Sequence, residues 1–317
     1  MYGAMNNYAQ LFRDLFRKTN GFMLNWPLGK TIRVGDFFTL RAGKISVVGN
    51  IYESYFQLSI SDTFSKDLHR FEAPLLEPYD FDRMGWESFR PPEGMWNIMS
   101  GCYTNYQSKH LTKPHKKKLL PAEVNIYDTQ FPLPGGYFFA SSHPHYCRMP
   151  HFKEIHKELI RRLTTEFYNF HRIYLVTDVA AVKDFSVGVS AIENAVIQVS
   201  RSDYYNGNLI DLVNSEETFD VEKVFGMETL KLKHEGGGIA FRAKKMGLSI
   251  KAKDTLIREI FATKDRDIEK YAVELIDNEL FHLFPKIEIN PSNANEFFEW
   301  TDMSLEDIEY FLGGSLA

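Results

Sequence analysis

Cysteine is scarce in this chain: its 317 residues hold two, Cys102 and Cys147, too few for a disulfide framework. Long apolar runs are missing too. None approaches the roughly 20 residues that a membrane helix needs, and the N-terminus carries no signal-peptide core. The expectation is a soluble, cytoplasmic chain. Low-complexity stretches and internal repeats are also lacking, and 44% hydrophobic with 25% charged residues excludes a disordered or collagenous chain. Base is missing from one end: Ile287 to Ala317 has seven acids and neither Lys nor Arg.

That last absence is part of a wider asymmetry. The net charge is -5, but Lys251 to Ala317 carries 15 acids against 7 bases, a balance of -8, which leaves +3 on the remainder. A mildly basic body with an acidic tail describes either a solvated face or a cover over a surface that attracts anions. An excess of three bases is small for a nucleic-acid binder, and no nucleic-acid motif is present, so nucleic acid is not expected as a partner.

Hydrophobic spacing gives the elements. Tyr8, Leu11, Phe12, Leu15 and Phe16 form the apolar stripe of an opening helix, with Arg13, Arg17 and Lys18 off it and Asn20-Gly21 as the stop. Period-two segments follow at Thr31–Val34, Phe37–Leu40, Ile45–Val48 and Tyr55–Ser61, where Phe56, Leu58 and Ile60 share a face. Weaker strand signals lie at Met95–Met99, Glu123–Tyr127 and Tyr137–Ala140, with an exposed basic loop at Lys116, Lys117 and Lys118. Phe152, Ile155, Leu159, Ile160, Leu163 and Phe167 mark a central helix. Strands are expected at Arg172–Val179, Phe185–Ala191, Ala195–Arg201, Thr229–Lys233, Ile239–Lys244 and Leu248–Lys251, with a long polar loop at Ser202–Asp220. Ile268 to Leu283 reads as a helix, Asn290–Asn295 as a linker, and Ser304 to Leu312 as a short helix with Ser304 and Asp307 as its capping box.

The fold class expected is α+β. A twisted antiparallel sheet carries an N-terminal amphipathic helix and a packed central helix, and a helical C-terminal region follows. The charge boundary places one domain at residues 1–253 and an acidic helical region at 254–317.

Candidate chemistry is sparse. His143, His145 and Cys147 alternate, so an extended segment would turn all three toward one zinc ion. Pro144 and Pro150 argue for a loop instead, and no zinc pattern is matched. The triple glycine Gly236-Gly237-Gly238 precedes a strand, not a helix, so it suits a tight turn or bulge better than a phosphate loop. There is no nucleophile elbow and no Walker lysine. Neither a cofactor nor an enzymatic activity is expected. Two features lean toward membranes. The basic side chains Arg13, Arg17, Lys18 and Lys116 to Lys118 suit acidic headgroups. The alternating strands suit barrel insertion, with Phe185, Val187 and Val189 on one segment and Ile197 and Val199 on the next; these two segments would form one hairpin, and Ile45–Val48 with Tyr55–Ser61 the other.

Specific residues add a resemblance. The block HFKEIHKELIRRLTTEFYNFHRIYLVTDV, from His151 to Val179, resembles the gasdermin pore-forming domain: a long helix leading into the strand Tyr174-Leu175-Val176-Thr177-Asp178-Val179, here with Asp where Glu is usual. Ile239-Ala240-Phe241-Arg242 after the triple glycine is similar to a second gasdermin strand, and Tyr8 to Lys18 to the family's opening helix. About 50 residues are covered. Two departures stand out: no cysteine precedes Cys102, where bacterial members often carry a lipid-modified one, and the C-terminal region is longer than the usual bacterial inhibitory peptide.

The resemblance implies an autoinhibited pore former and cell-death effector, as in antiphage defence. A protease would release the tail. The body would then bind acidic lipids at the inner face of the cell membrane and assemble as a homo-oligomer into a β-barrel. Arg13, Arg17 and Lys18 would be lipid contacts, and the alternating strands insertion segments. The alternatives are a metal-dependent enzyme built on His143, His145 and Cys147, and a soluble interaction module of a defence or toxin system.

Overall fold

The structure, a computed structural model, describes residues 6–27, 32–41, 43–52, 96–110, 123–149, 152–167, 173–201, 209–215, 218–262 and 292–313. In chain order these form α1 (Ala9–Lys18), β1 (Met23–Leu24), β2 (Asp36–Arg41), β3 (Lys44–Asn50), β4 (Ile98–Ser100), β5 (Tyr103–His110), β6 (Glu123–Phe131), β7 (Tyr137–Ser141), β8 (His145–Arg148), α2 (Phe152–Phe167), β9 (Ile173–Ser190), β10 (Ala195–Arg201), α3 (Leu209–Asn214), β11 (Asp220–Phe225), β12 (Met227–Leu248), α4 (Ile250–Ala262), α5 (Ala294–Phe297), β13 (Phe298–Asp302) and α6 (Leu305–Phe311). The fold is mixed, strands predominate, and the sheet is antiparallel and curled. The described residues divide into two compact units, one drawn from 1–30, 78–145 and 180–240, the other from 31–77, 146–179 and 241–317. Described residues on both sides of position 253 belong to the second unit.

In the first unit, α1 buries Leu11, Phe12, Leu15 and Phe16, the stripe read from the sequence. Burying each such side chain contributes about 1.5–3 kcal/mol. Tyr8 and Phe12 meet Trp26 with ring centroids at 4.6 and 6.0 Å. The helix ends where expected, with Asn20 and Gly21 at positive φ and the Gly21 N–H donating to the Phe16 carbonyl. The side of α1 that carries Asp14 is also used, since Tyr137 donates to the Asp14 carboxylate at 2.6 Å.

β7 pairs antiparallel with Phe185–Val189 of β9. Opposite residues share a face, so Phe185, Val187 and Val189 lie with Ser141, Phe139 and Tyr137, while Ser186 and Gly188 lie with Ala140 and Phe138. Both faces are buried. The small side chains of β9 make room for the Phe138 ring, which a Cβ at Gly188 would strike. A second, four-stranded sheet runs β11-β10-β6-β5. Its inner face presents Tyr127, Ile197 and Val199 to a core that includes Leu209, Ile210, Leu212 and Val213 of α3.

The expected hairpin of Phe185–Ala191 with Ala195–Arg201 is not formed. β10 pairs with β6 and β11, in a sheet that does not contain β9. The polar loop expected over Ser202–Asp220 contains α3, whose apolar residues are buried. Of the two expectations for the triple glycine, a tight turn or a bulge, the turn is not formed: the three glycines lie inside β12. A Cβ at Gly236 would collide with the Val182 backbone, so the glycine lets the two strands approach.

In the second unit, β2 pairs with β3 and sets Phe37 and Phe38 opposite Leu175 and Tyr174 of β9. Phe38 stacks on Tyr174 at 5.2 Å and meets Phe241 edge-on at 5.3 Å. Gly35, at φ +86°, turns the chain into β2 and donates its N–H to the Val176 carbonyl; no strand forms at Thr31–Val34 among the described residues. α2 buries Ile155, Leu159, Ile160 and Leu163, as its periodicity requires. Where a strand was expected at Leu248–Lys251, β12 stops at Leu248 and α4 begins at Ile250. The region 254–317, expected to be helical, contributes most of α4, then α5, the strand β13 and α6, with β13 paired antiparallel to Lys244–Leu248. The expected helix over Ile268–Leu283 lies outside the described residues.

Candidate functional site

The tail is seated in the second unit by one buried carboxylate. Asp307, 2% exposed, sits in the first turn of α6 and closes the expected capping box: its Oδ2 accepts the Ser304 N–H at 2.8 Å and the Ser304 hydroxyl at 3.0 Å. Its Oδ1 accepts the Tyr174 hydroxyl at 2.6 Å and lies 3.5 Å from Nζ of Lys245. A carboxylate removed from water is stable only when its lone pairs are met, and here three hydrogen-bond donors and one cation meet them. Main-chain bonds add to the hold. Gly43 N–H donates to the Phe311 carbonyl and Met303 N–H to the Ala243 carbonyl. Trp300 donates its indole N–H to the His156 carbonyl at 2.9 Å and meets Phe152 edge-on at 5.9 Å. At the rim, Lys244 pairs with the largely exposed Asp302 at 2.6 Å, a contact worth little in water.

Beside this seat lies a second buried carboxylate. Asp178 accepts the Thr177 hydroxyl at 2.8 Å and lies 3.3 Å from Nε of Arg148. Burial raises its pKa above the ordinary carboxylate value, against the opposing pull of Arg148, the Thr177 hydroxyl, Arg242 and Lys244. Burial in turn lowers the pKa of Arg242, with Asp178 as the main opposing influence. The two sequence blocks that carry the resemblance, Tyr174 to Val179 and Ala240 to Arg242, thus meet in part: Asp178 and Arg242 share one electrostatic cluster, while Leu175, Val176, Val179, Ala240 and Phe241 are buried.

Other candidate residues fall elsewhere. Arg17 and Lys18 are exposed at the C-terminal end of α1, where the helix dipole favours cations, and Arg13 is half-buried and partnered. Phe185, Val187, Val189, Ile197 and Val199 are all core side chains. Phe56, Leu58, Ile60, Lys116, Lys117 and Lys118 lie outside the described residues.

The zinc alternative loses its geometry. Among the described residues no three His, Cys, Asp or Glu side chains come together closely enough to hold a metal ion, so His143, His145 and Cys147 make no such group. Burial pushes the Cys102 thiol up to about 11, which keeps it protonated and a poor nucleophile at neutral pH. The residues that seat the tail, Asp307, Tyr174, Lys245 and Trp300, were not legible as a group. The sequence marks Tyr174 through the strand motif and Asp307 through the Ser304–Asp307 spacing, but nothing in it joins the two.

Among the described residues no helix is long and apolar enough to cross a membrane. No family model matches the chain, and no curated protein matches it.

Proposed function

We propose that the chain is an autoinhibited, membrane-targeting pore former whose C-terminal segment is the restraint. The observation that carries this reading is the seat of Asp307 on Tyr174 and Lys245, with β13 laid along Lys244–Leu248. An acidic tail is held on a basic strand by contacts that a single cut upstream would leave non-covalent. In this reading 254–317 is the restraint and 1–253 the active part; α2 and the curled sheet form its scaffold. Arg17 and Lys18 approach acidic lipids, with Arg13, Lys116, Lys117 and Lys118 as further contacts. An activating protease frees the tail, and copies assemble into a β-barrel at the inner face of the cell membrane.

The long strands support the reading. β9 has 18 residues and β12 has 22, against the 9–11 that a barrel strand needs. The insertion residues are core residues in this structure, so the reading requires Phe185, Val187, Val189, Ile197 and Val199 to leave the core after release.

The test is a full-length chain with a specific protease site inserted between residues 264 and 267, mixed with dye-loaded vesicles containing an anionic phospholipid. Cleavage should start dye release, and the uncut chain should leak far less. A cleaved, folded chain that frees its tail and leaves the vesicles intact would sink the pore reading.

A further inference from the structure

The four-stranded sheet of the first unit ends on a strand whose every residue is exposed. β11 reads Asp220-Val221-Glu222-Lys223-Val224-Phe225, with Val221, Val224 and Phe225 at 46%, 45% and 53% exposure. One edge of β11 pairs with β10; among the described residues no strand pairs with the other. An open edge of this kind is a template for another strand.

Register decides which side chains share a face. Ile197 stands opposite Val224, Gln198 opposite Lys223 and Val199 opposite Val221, so Glu222 is the extra residue of a β-bulge. Residues three apart on a regular strand point to opposite faces. The bulge cancels that and puts Val221 and Val224 together on the face of Ile197 and Val199. Lys223 lies with Gln198 on the other face. There Glu222 also reaches, accepting from Ser200, the residue opposite Asp220.

We propose that β11 is a self-pairing edge whose partner is a second copy of this chain, antiparallel about a two-fold axis between Glu222 and Lys223. This register sets Val221 opposite Val224 of the second copy, and Glu222 opposite its Lys223, each twice. A shift by one residue either way sets Glu222 against Glu222, or Lys223 against Lys223, and takes the valines off each other. A parallel pairing sets like charges side by side. The sequence of this edge is thus complementary to itself in one arrangement only. Such a contact is isologous and closes on itself. It is therefore a pairing of two chains, separate from the ring that a barrel needs, and it does not depend on the pore reading.

The test is sedimentation of the full-length chain over a wide dilution series. A monomer–dimer equilibrium is expected. Lys223→Glu and Glu222→Lys should each weaken the dimer about tenfold, because two opposite-charge pairs become two like-charge pairs. The double exchange Glu222→Lys with Lys223→Glu should restore it. All four positions from Val221 to Val224 are exposed, and far-UV circular dichroism checks that each variant is folded. A wild-type chain that stays monomeric at every concentration overturns the proposal, and would leave the bulge and Lys223 as devices that keep the edge unpaired. A dimer that neither single change weakens, or a folded double variant that fails to recover it, overturns it as well.

Discussion

Tyr174 donates its phenolic hydrogen to the carboxylate of Asp307 at 2.6 Å, joining residues 133 positions apart in the chain. Tyr174 belongs to β9, and Asp307 to the last helix. The contact therefore ties the tail to the strand that carries Tyr174 to Val179, and it is the place to break the tail's hold without cutting the chain.

Tyr174→Phe removes one hydrogen bond to a charged group, a loss of about 1.5–3 kcal/mol. Asp307→Ala removes the carboxylate from three hydrogen-bond donors and leaves the Lys245 charge without it, a cost of about 3 kcal/mol or more. Hydrogen exchange should speed up over 298–312 in both variants, more in Asp307→Ala. If the tail is the restraint, Asp307→Ala should also leak vesicles without cleavage.

Asp178 gives a pH dependence with a definite sign. Burial raises its folded-state pKa above the unfolded value. Its contribution is therefore fully present below the unfolded carboxylate pKa and is lost as pH rises through the folded one. In urea titrations across the acid range, Asp178→Asn should remove that decline. An equal slope in wild type and variant would refute the assignment.

Two glycines should refuse a methyl group. Gly236→Ala meets the Val182 backbone, and Gly188→Ala meets the Phe138 ring. Overpacking of this kind costs about 1–3 kcal/mol. The backbone neighbour of Gly236 cannot swing aside as a ring can, so Gly236→Ala should lower the thermal midpoint further than Gly188→Ala.

The basic residues of α1 should separate by burial. If the proposed function holds, Arg17→Glu and Lys18→Glu, both exposed, should weaken binding of the cleaved chain to anionic vesicles in a salt-dependent manner; in either case they should leave the thermal midpoint nearly unchanged. Each base near such a surface is worth about 1 kcal/mol. Arg13→Glu should lower the midpoint, because Arg13 is half-buried and partnered.

Cys102, with its thiol pushed up to about 11, should react with iodoacetamide at pH 8 far more slowly than free cysteine, and at a free-thiol rate once urea unfolds the chain.

What local spacing alone determines is visible in α1 and α2. Their apolar stripes name Leu11, Phe12, Leu15 and Phe16 in α1 and Ile155, Leu159, Ile160 and Leu163 in α2 as buried residues, and Phe152 at the start of α2 is half-buried, because a helix closes its own hydrogen bonds and only its buried face needs a partner. The Asn20-Gly21 stop and the Ser304–Asp307 cap were legible for the same reason: both are bonds between near neighbours. Sheet partners are not local. The alternation of Phe185–Ala191 and of Ala195–Arg201 marks strand in both segments but not their pairing, and proximity in sequence wrongly suggests a hairpin. The reason for Gly236 is not legible locally, because its need is a strand 54 positions earlier. β13, five residues long and polar on its exposed face, carried no strand signal until Lys244–Leu248 offered it an edge.

The scarcity of cysteine, the missing apolar runs and the acid-rich end were fixed by composition, and with them the need for a protein core and the charge split near Lys253. Only the tertiary structure decided where that charge goes. Asp307 is not a solvated tail acid but a buried one, held by Tyr174 and Lys245, because a carboxylate survives out of water only where distant segments bring donors to it.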